Sequence, residues 1–117
     1  TVRFTAHAEP DFIGCCHGGK AIVFEAKFTD KGRLKQDAVT KTQAASLQAY
    51  ENLGAISAVC VGIQDRFYMV PWMVFSRMKE LYGRKYIMQD DIPEYRVRFN
   101  GCVLFLDYAD PRMGKFA

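Results

Sequence analysis

The sequence predicts an α/β fold: a mixed central β-sheet flanked by helices, in a single domain spanning residues 1–117. Three observations lead there. Two strand-like runs near the start are joined by a pair of glycines. Two amphipathic stretches with helical spacing each follow a strand-like run. Between them, Ala55 to Ile63 is almost continuously small and β-branched, the pattern of a strand covered on both faces. A chain of 117 residues buries enough surface to fold without covalent staples. Half of its residues are apolar and 14% are aromatic, which excludes a disordered chain. No apolar run approaches the roughly 20 residues that span a membrane.

The elements follow in order. Asp11 to Cys16 and Ala21 to Lys27 read as antiparallel strands around His17-Gly18-Gly19-Lys20, because glycine supplies the positive φ angles of a tight hairpin. In the second strand Ile22, Phe24 and Ala26 share one face, and Val23, Glu25 and Lys27 share the other. Thr29 to Val39 is polar, carries Gly32 and reads as a loop. A helix is predicted over Thr40 to Leu53, with Thr40 and Gln43 at capping-box spacing and Gly54 as the stop. After the strand at Ala55 to Ile63, Gln64-Asp65-Arg66 turns the chain and Phe67 to Val70 returns. Pro71 opens a second predicted helix over Trp72 to Tyr82, closed by Gly83, with Trp72, Phe75, Met78 and Tyr82 inside. Tyr95 to Phe99, the turn Asn100-Gly101, and Cys102 to Tyr108 read as a final hairpin.

The net charge of +3 permits a nucleic-acid partner without demanding one. Its distribution says more. The segment from Lys27 to Lys41 holds Lys27, Lys31, Arg33, Lys35 and Lys41 against Asp30 and Asp37, a surplus equal to that of the whole chain. Cys15, Cys16, Cys60 and Cys102 do not form the spacing pattern of a small disulfide-stapled domain. Adjacent Cys15 and Cys16 project to opposite faces of a strand and chelate poorly together, so reduced thiols in a cytosolic protein are expected.

The chemistry concentrates in Pro10-Asp11 and Glu25-Ala26-Lys27. Glu25 closes the apolar run Ala21-Ile22-Val23-Phe24, where a carboxylate is costly unless something pairs with it. Lys27 leaves the same strand face. Asp11 begins the neighbouring strand and can reach the same place. Two carboxylates about 4 Å apart repel by roughly 1 kcal/mol in water, and by about 4 kcal/mol at an effective dielectric near 20. A divalent cation removes that repulsion, and Mg²⁺ suits a pair of carboxylates completed by waters and a phosphate. Such an ion holds a scissile phosphate oxygen and helps to ionise a water, while Lys27 orients that water or stabilises the developing charge. The chemistry is phosphodiester hydrolysis.

Register decides whether the groups meet. A two-residue loop at Gly18-Gly19 would pair Asp11 with Ala26, on the wrong face. A three-residue loop, His17 to Gly19, pairs Asp11 with Glu25. The nuclease reading therefore requires a three- or five-residue loop, or a bulge.

Pro10-Asp11 … Glu25-Ala26-Lys27 resembles the PD-(D/E)xK nuclease signature. Phe24-Glu25-Ala26-Lys27, the following loop and the helix bearing Gln43 resemble the RecU-type Holliday junction resolvases of bacteria and their phages, from about Asp11 to Trp72. The resemblance implies a restriction-endonuclease-like fold and a Mg²⁺-dependent endodeoxyribonuclease of DNA recombination and repair, with Mn²⁺ able to substitute. Asp11 and Glu25 would bind the metal, with the Ala26 carbonyl as third ligand. Lys27 would be the catalytic lysine, and Gln43 would reach toward the site from its helix. Lys31, Arg33, Lys35 and Lys41 would lie beside the phosphates of branched DNA, a four-way junction. A cytoplasmic homodimer is implied, bacterial or phage-borne, with no membrane partner and no small-molecule cofactor. The family normally opens with a helix that carries a further acidic residue. Here ten residues precede Asp11, they do not read as a helix, and Glu9 is their one acid. The expectation is a shortened relative or a chain from which that helix was removed.

Competing readings exist at each position. Glu25 and Lys27 form a solvated surface pair in one, and Gln43 merely closes the capping box with Thr40. For the whole chain the rivals are a nuclease of the same fold acting on another DNA structure, and a DNA-binding module without catalysis.

Overall fold

A computed structural model of the protein describes residues 10–16 and 18–98. Strand β1 (Phe12–Cys15) and strand β2 (Ala21–Thr29) form the expected antiparallel pair. Strand β3 (Arg33–Lys35) and a 3₁₀ turn (Gln36–Ala38) lead into helix α1 (Lys41–Asn52). Strands β4 (Ile56–Ile63) and β5 (Arg66–Pro71) follow, then helices α2 (Trp72–Ser76) and α3 (Met78–Tyr82). Strand β6 (Tyr86–Met88), two 3₁₀ turns and strand β7 (Arg96–Val97) complete the described part.

The central sheet has five strands in the order β1-β2-β4-β5-β7. β2 and β4 run parallel, which requires the crossover that β3 and α1 supply, and the other neighbours are antiparallel. The sheet is therefore mixed, as the pattern predicts. β3 and β6 form a separate two-stranded ribbon.

Alternation along β2 splits the core. Val23 joins Val59, Val61, Leu47, Trp72 and Phe75 on the face covered by α1 and α2. Ile22 and Phe24 join Ala58, Cys60 and Met69 on the other, where the buried cluster draws only on strands and Cys16 among the described residues. Every residue of β4 is buried, as expected of a strand covered on both sides. Each such Val or Ile contributes about 1.5–3 kcal/mol of transfer free energy. Ser57, the polar residue of that strand, is satisfied by donating from Oγ to Leu47 O at 2.8 Å, which ties β4 to α1. Gly62 permits a close crossing: an added Cβ would meet Phe28 Cδ1 at 2.2 Å.

Three expectations need correction. The segment 29–39 is not a plain loop: Leu34 is buried and draws β3 against Ile87 of β6. The helix expected over Trp72 to Tyr82 is two helices that break at Arg77 (φ −108°, ψ 23°). The side chain of Gln36 donates to Phe75 O at 3.2 Å and Ser76 O at 3.1 Å, so it takes over carbonyls that continuing helix would have used. Tyr95 ends a 3₁₀ turn, and the strand expected over Tyr95 to Phe99 begins at Arg96. The turn Asn100-Gly101 and its return strand lie outside the described residues, as do Glu9, His17 and Cys102.

Candidate active site

The register that the chemistry needs is present. Phe12 pairs with Phe24 and Cys15 with Ala21, so extending the ladder by one residue sets Asp11 opposite Glu25. The loop that fixes this closes between Cys16 and Lys20: Cys16 N donates to Lys20 O at 2.7 Å, and Gly19 N to Cys16 O at 3.0 Å. Gly18 and Gly19 hold φ of +88° and +83°, a region that other residues enter only with strain.

Glu25 is 0% exposed, and its side chain leaves β2 on the same face as Val23, toward the core beneath α1. Lys27 leaves that face two residues on and is half-buried. The surface-pair reading of Glu25 and Lys27 is thereby set aside, because the carboxylate is not solvated. Asp11 stands at the exposed rim. Ala26 N donates to Asp11 Oδ2 at 3.0 Å, and Asp11 N donates to Glu25 Oε2 at 3.4 Å. Glu25 Oε1 has no hydrogen-bond partner among the described residues.

The two carboxyls are driven apart in acidity. The Ala26 N–H, and after it the Glu25 side chain, hold Asp11 below its ordinary pKa. Burial, and after it the neighbouring Asp11 carboxylate, push Glu25 up to about 7. Within a strand, the N–H and C=O of one residue leave by the same edge. Since the Ala26 N–H points at Asp11, its carbonyl does as well. Among the described residues no three His, Cys, Asp or Glu side chains gather anywhere. A cation here would thus rest on two carboxylates, a peptide carbonyl and small ligands.

Gln43 closes the capping box of α1. Thr40 N donates to its Oε1 at 3.0 Å, and Gln43 N donates to Thr40 Oγ1 at 3.2 Å. Its Nε2 retains two donors. Gln43 lies one turn before the fully buried Leu47, on the side of α1 turned to the sheet. Among the described residues it makes no hydrogen bond to Glu25 or Lys27.

A family model described as RecU, Recombination protein U, matches residues 1–111. The chain belongs to the RecU family. Among solved structures, this RecU chain is similar to Hjc, a Holliday junction resolvase from the archaeal hyperthermophile Archaeoglobus fulgidus. The two are 16% identical, with a TM-score of 0.53 over 81% of this chain and 74% of that one. At that identity the likeness establishes the fold. No curated protein sequence matches the chain.

The basic residues of this RecU chain do not act as one stretch. Arg33 and Lys35 on β3 and Lys41 at the start of α1 line a cavity of about 730 Å³. Lys31 is not in its lining; it sits in the turn before β3, where its N–H donates to Thr29 Oγ1 at 3.1 Å. The cavity recruits Lys85 and Tyr86, which the sequence reading missed. The basic pair Arg84-Lys85 after Gly83 was the one available signal.

Proposed function

We propose that this chain is a metal-dependent endodeoxyribonuclease that resolves Holliday junctions by phosphodiester hydrolysis. It would act as a homodimer in the cytoplasm of a bacterium or of a phage-infected host. One observation carries the reading: the glycine loop sets Asp11 opposite buried Glu25, with Lys27 on the same strand face. Membership of the RecU family and the Hjc-like fold support it. Among the described residues no helix is long and apolar enough to cross a membrane.

The residues fit a hard divalent cation. A buried carboxylate oxygen without a partner among the described residues, Glu25 Oε1, is an unmet demand that a cation meets. Asp11, Glu25 and the Ala26 carbonyl would hold the ion, with oxygen donors that suit Mg²⁺ and its substitute Mn²⁺. When bound, such an ion supplies Lewis-acid polarisation of a phosphate oxygen and a water of lowered pKa. Lys27 orients the attacking water with its ammonium and offsets the negative charge that develops on the phosphate. The Gln43 carboxamide offers donors from α1. Lys31, Arg33, Lys35 and Lys41 hold backbone phosphates in register. A two-fold dimer presents two such sites to two strands of a junction.

The test is cleavage of a synthetic four-way junction in Mg²⁺ by wild type and by Lys27→Ala, with linear duplex and flap substrates alongside. Wild type should cut the junction in preference to the others, and Lys27→Ala should lose at least about a hundredfold in rate. Equal rates for the two proteins would remove Lys27 from the mechanism, and a preference for linear duplex or flap would reject junction resolution.

A further inference from the structure

Four cations line one cavity, and none has an acidic partner among the described residues. Arg33 and Lys35 enter it from β3, Lys41 from α1, and Lys85 from the bend before β6. Among the described residues no carboxylate lies within ion-pair distance of any of them. Arg77 and Arg84, by contrast, pair with Glu80 and Asp91. Against the one carboxylate in the lining, Asp37, these four like charges leave a positive surplus that focuses into the concavity, so an anion is the complementary occupant.

Val39, Ala44 and Trp72 add an apolar part to the lining of the same cavity, with Val39 and Trp72 mostly buried behind it. The indole is fixed in place, since its Nε1 donates to Gln48 Oε1 at 2.9 Å. Arg33 is steadied by Tyr86, whose ring centroid lies 4.8 Å from the guanidinium carbon. A volume of about 730 Å³ far exceeds what one phosphate group fills and suits a whole nucleotide. The cationic and apolar parts of the lining together match a ligand with an anionic part and a flat apolar part.

We infer that this cleft seats one nucleotide drawn out of its base pair in the DNA substrate, with its flanking phosphates among Arg33, Lys35, Lys41 and Lys85 and its base against the lining of Ala44 and Trp72. Asp37, also in the lining, offers an acceptor for a base N–H. The inference rests on the nuclease reading and adds to it a seat for one nucleotide, reached by a residue far along the chain from the basic segment.

Trp72 is the single tryptophan, so emission comes from one residue, set between the cleft and the core. The full chain is titrated, without divalent metal, with the tetranucleotide dT4 and with a tetramer of the same phosphates lacking bases. Wild type should bind dT4 at least about fivefold more tightly than the abasic tetramer, with a change in Trp72 emission. Lys85→Ala should weaken both several-fold. Ala44→Met, which fills the apolar part of the cleft without altering charge, should erase the difference between the two ligands while its far-UV spectrum and melting stay those of wild type. Equal binding of the two tetramers by wild type would reduce the cleft to a phosphate contact and overturn the inference. So would unchanged affinities in Lys85→Ala, a surface substitution that does not threaten folding. Because neither metal nor cleavage enters the assay, failure here leaves junction cleavage untouched, and failure of junction cleavage leaves this result standing.

Discussion

Glu25 sits at the end of an apolar run with one oxygen lacking a partner among the described residues, and burial pushes its pKa from 4.5 to about 7. The folded state thus holds this proton more tightly than the unfolded chain does. The group costs nothing well below pH 4.5; stability falls as pH rises from there through about 7, where the buried carboxylate is half ionised, and levels off above it. A shift of that size corresponds to a cost of roughly 3–4 kcal/mol. Glu25→Gln should therefore melt higher than wild type at pH 8 in the absence of divalent ions, by about 1–3 kcal/mol, and no higher at pH 4. Thermal denaturation across that range checks the sign, and a variant less stable at pH 8 would contradict it. Asp11 works the other way: its depressed pKa adds stability that is lost as pH falls through the acid range. The meeting of these two acids was legible in the sequence, because two adjacent glycines and a period-two strand leave few registers. The separation of their pKa values was not, since it depends on which carboxyl the core of α1, β2 and β4 covers.

At the scale of elements, the central strands and α1 were legible and the small elements were not. Strand β4 announces itself by an unbroken apolar run, and α1 by Thr40 and Gln43, which do form their capping box. β3 and β6 are three residues each, too short to show a period, and each is held by one buried residue, Leu34 or Ile87. The break at Arg77 was hidden because Trp72, Phe75, Met78 and Tyr82 keep helical spacing across it. What breaks the helix is Gln36, distant in sequence, whose amide serves the carbonyls of Phe75 and Ser76. Gln36→Ala should cost about 1–3 kcal/mol by leaving those carbonyls without their donor, as read by chemical denaturation. A loss under about 0.5 kcal/mol would mean that water replaces the amide freely.

For the whole molecule, the net charge of +3 understates its bias toward polyanions, because four cations without an acidic partner among the described residues converge on one cavity. Junction affinity should fall steeply with salt, and Lys41→Ala should reduce the slope of log K against log salt by about one. An unchanged slope would place Lys41 off the DNA. The basic segment was visible in the sequence; its convergence with Lys85 was not, since only the β3–β6 ribbon brings those stretches together. The catalytic proposal itself depends on two acids sharing one divalent ion. Calorimetric titration of the free protein with Mn²⁺ tests that most directly. One binding site is expected in wild type, abolished separately by Asp11→Asn and by Glu25→Gln. Binding that survives both substitutions would place the metal elsewhere and contradict it.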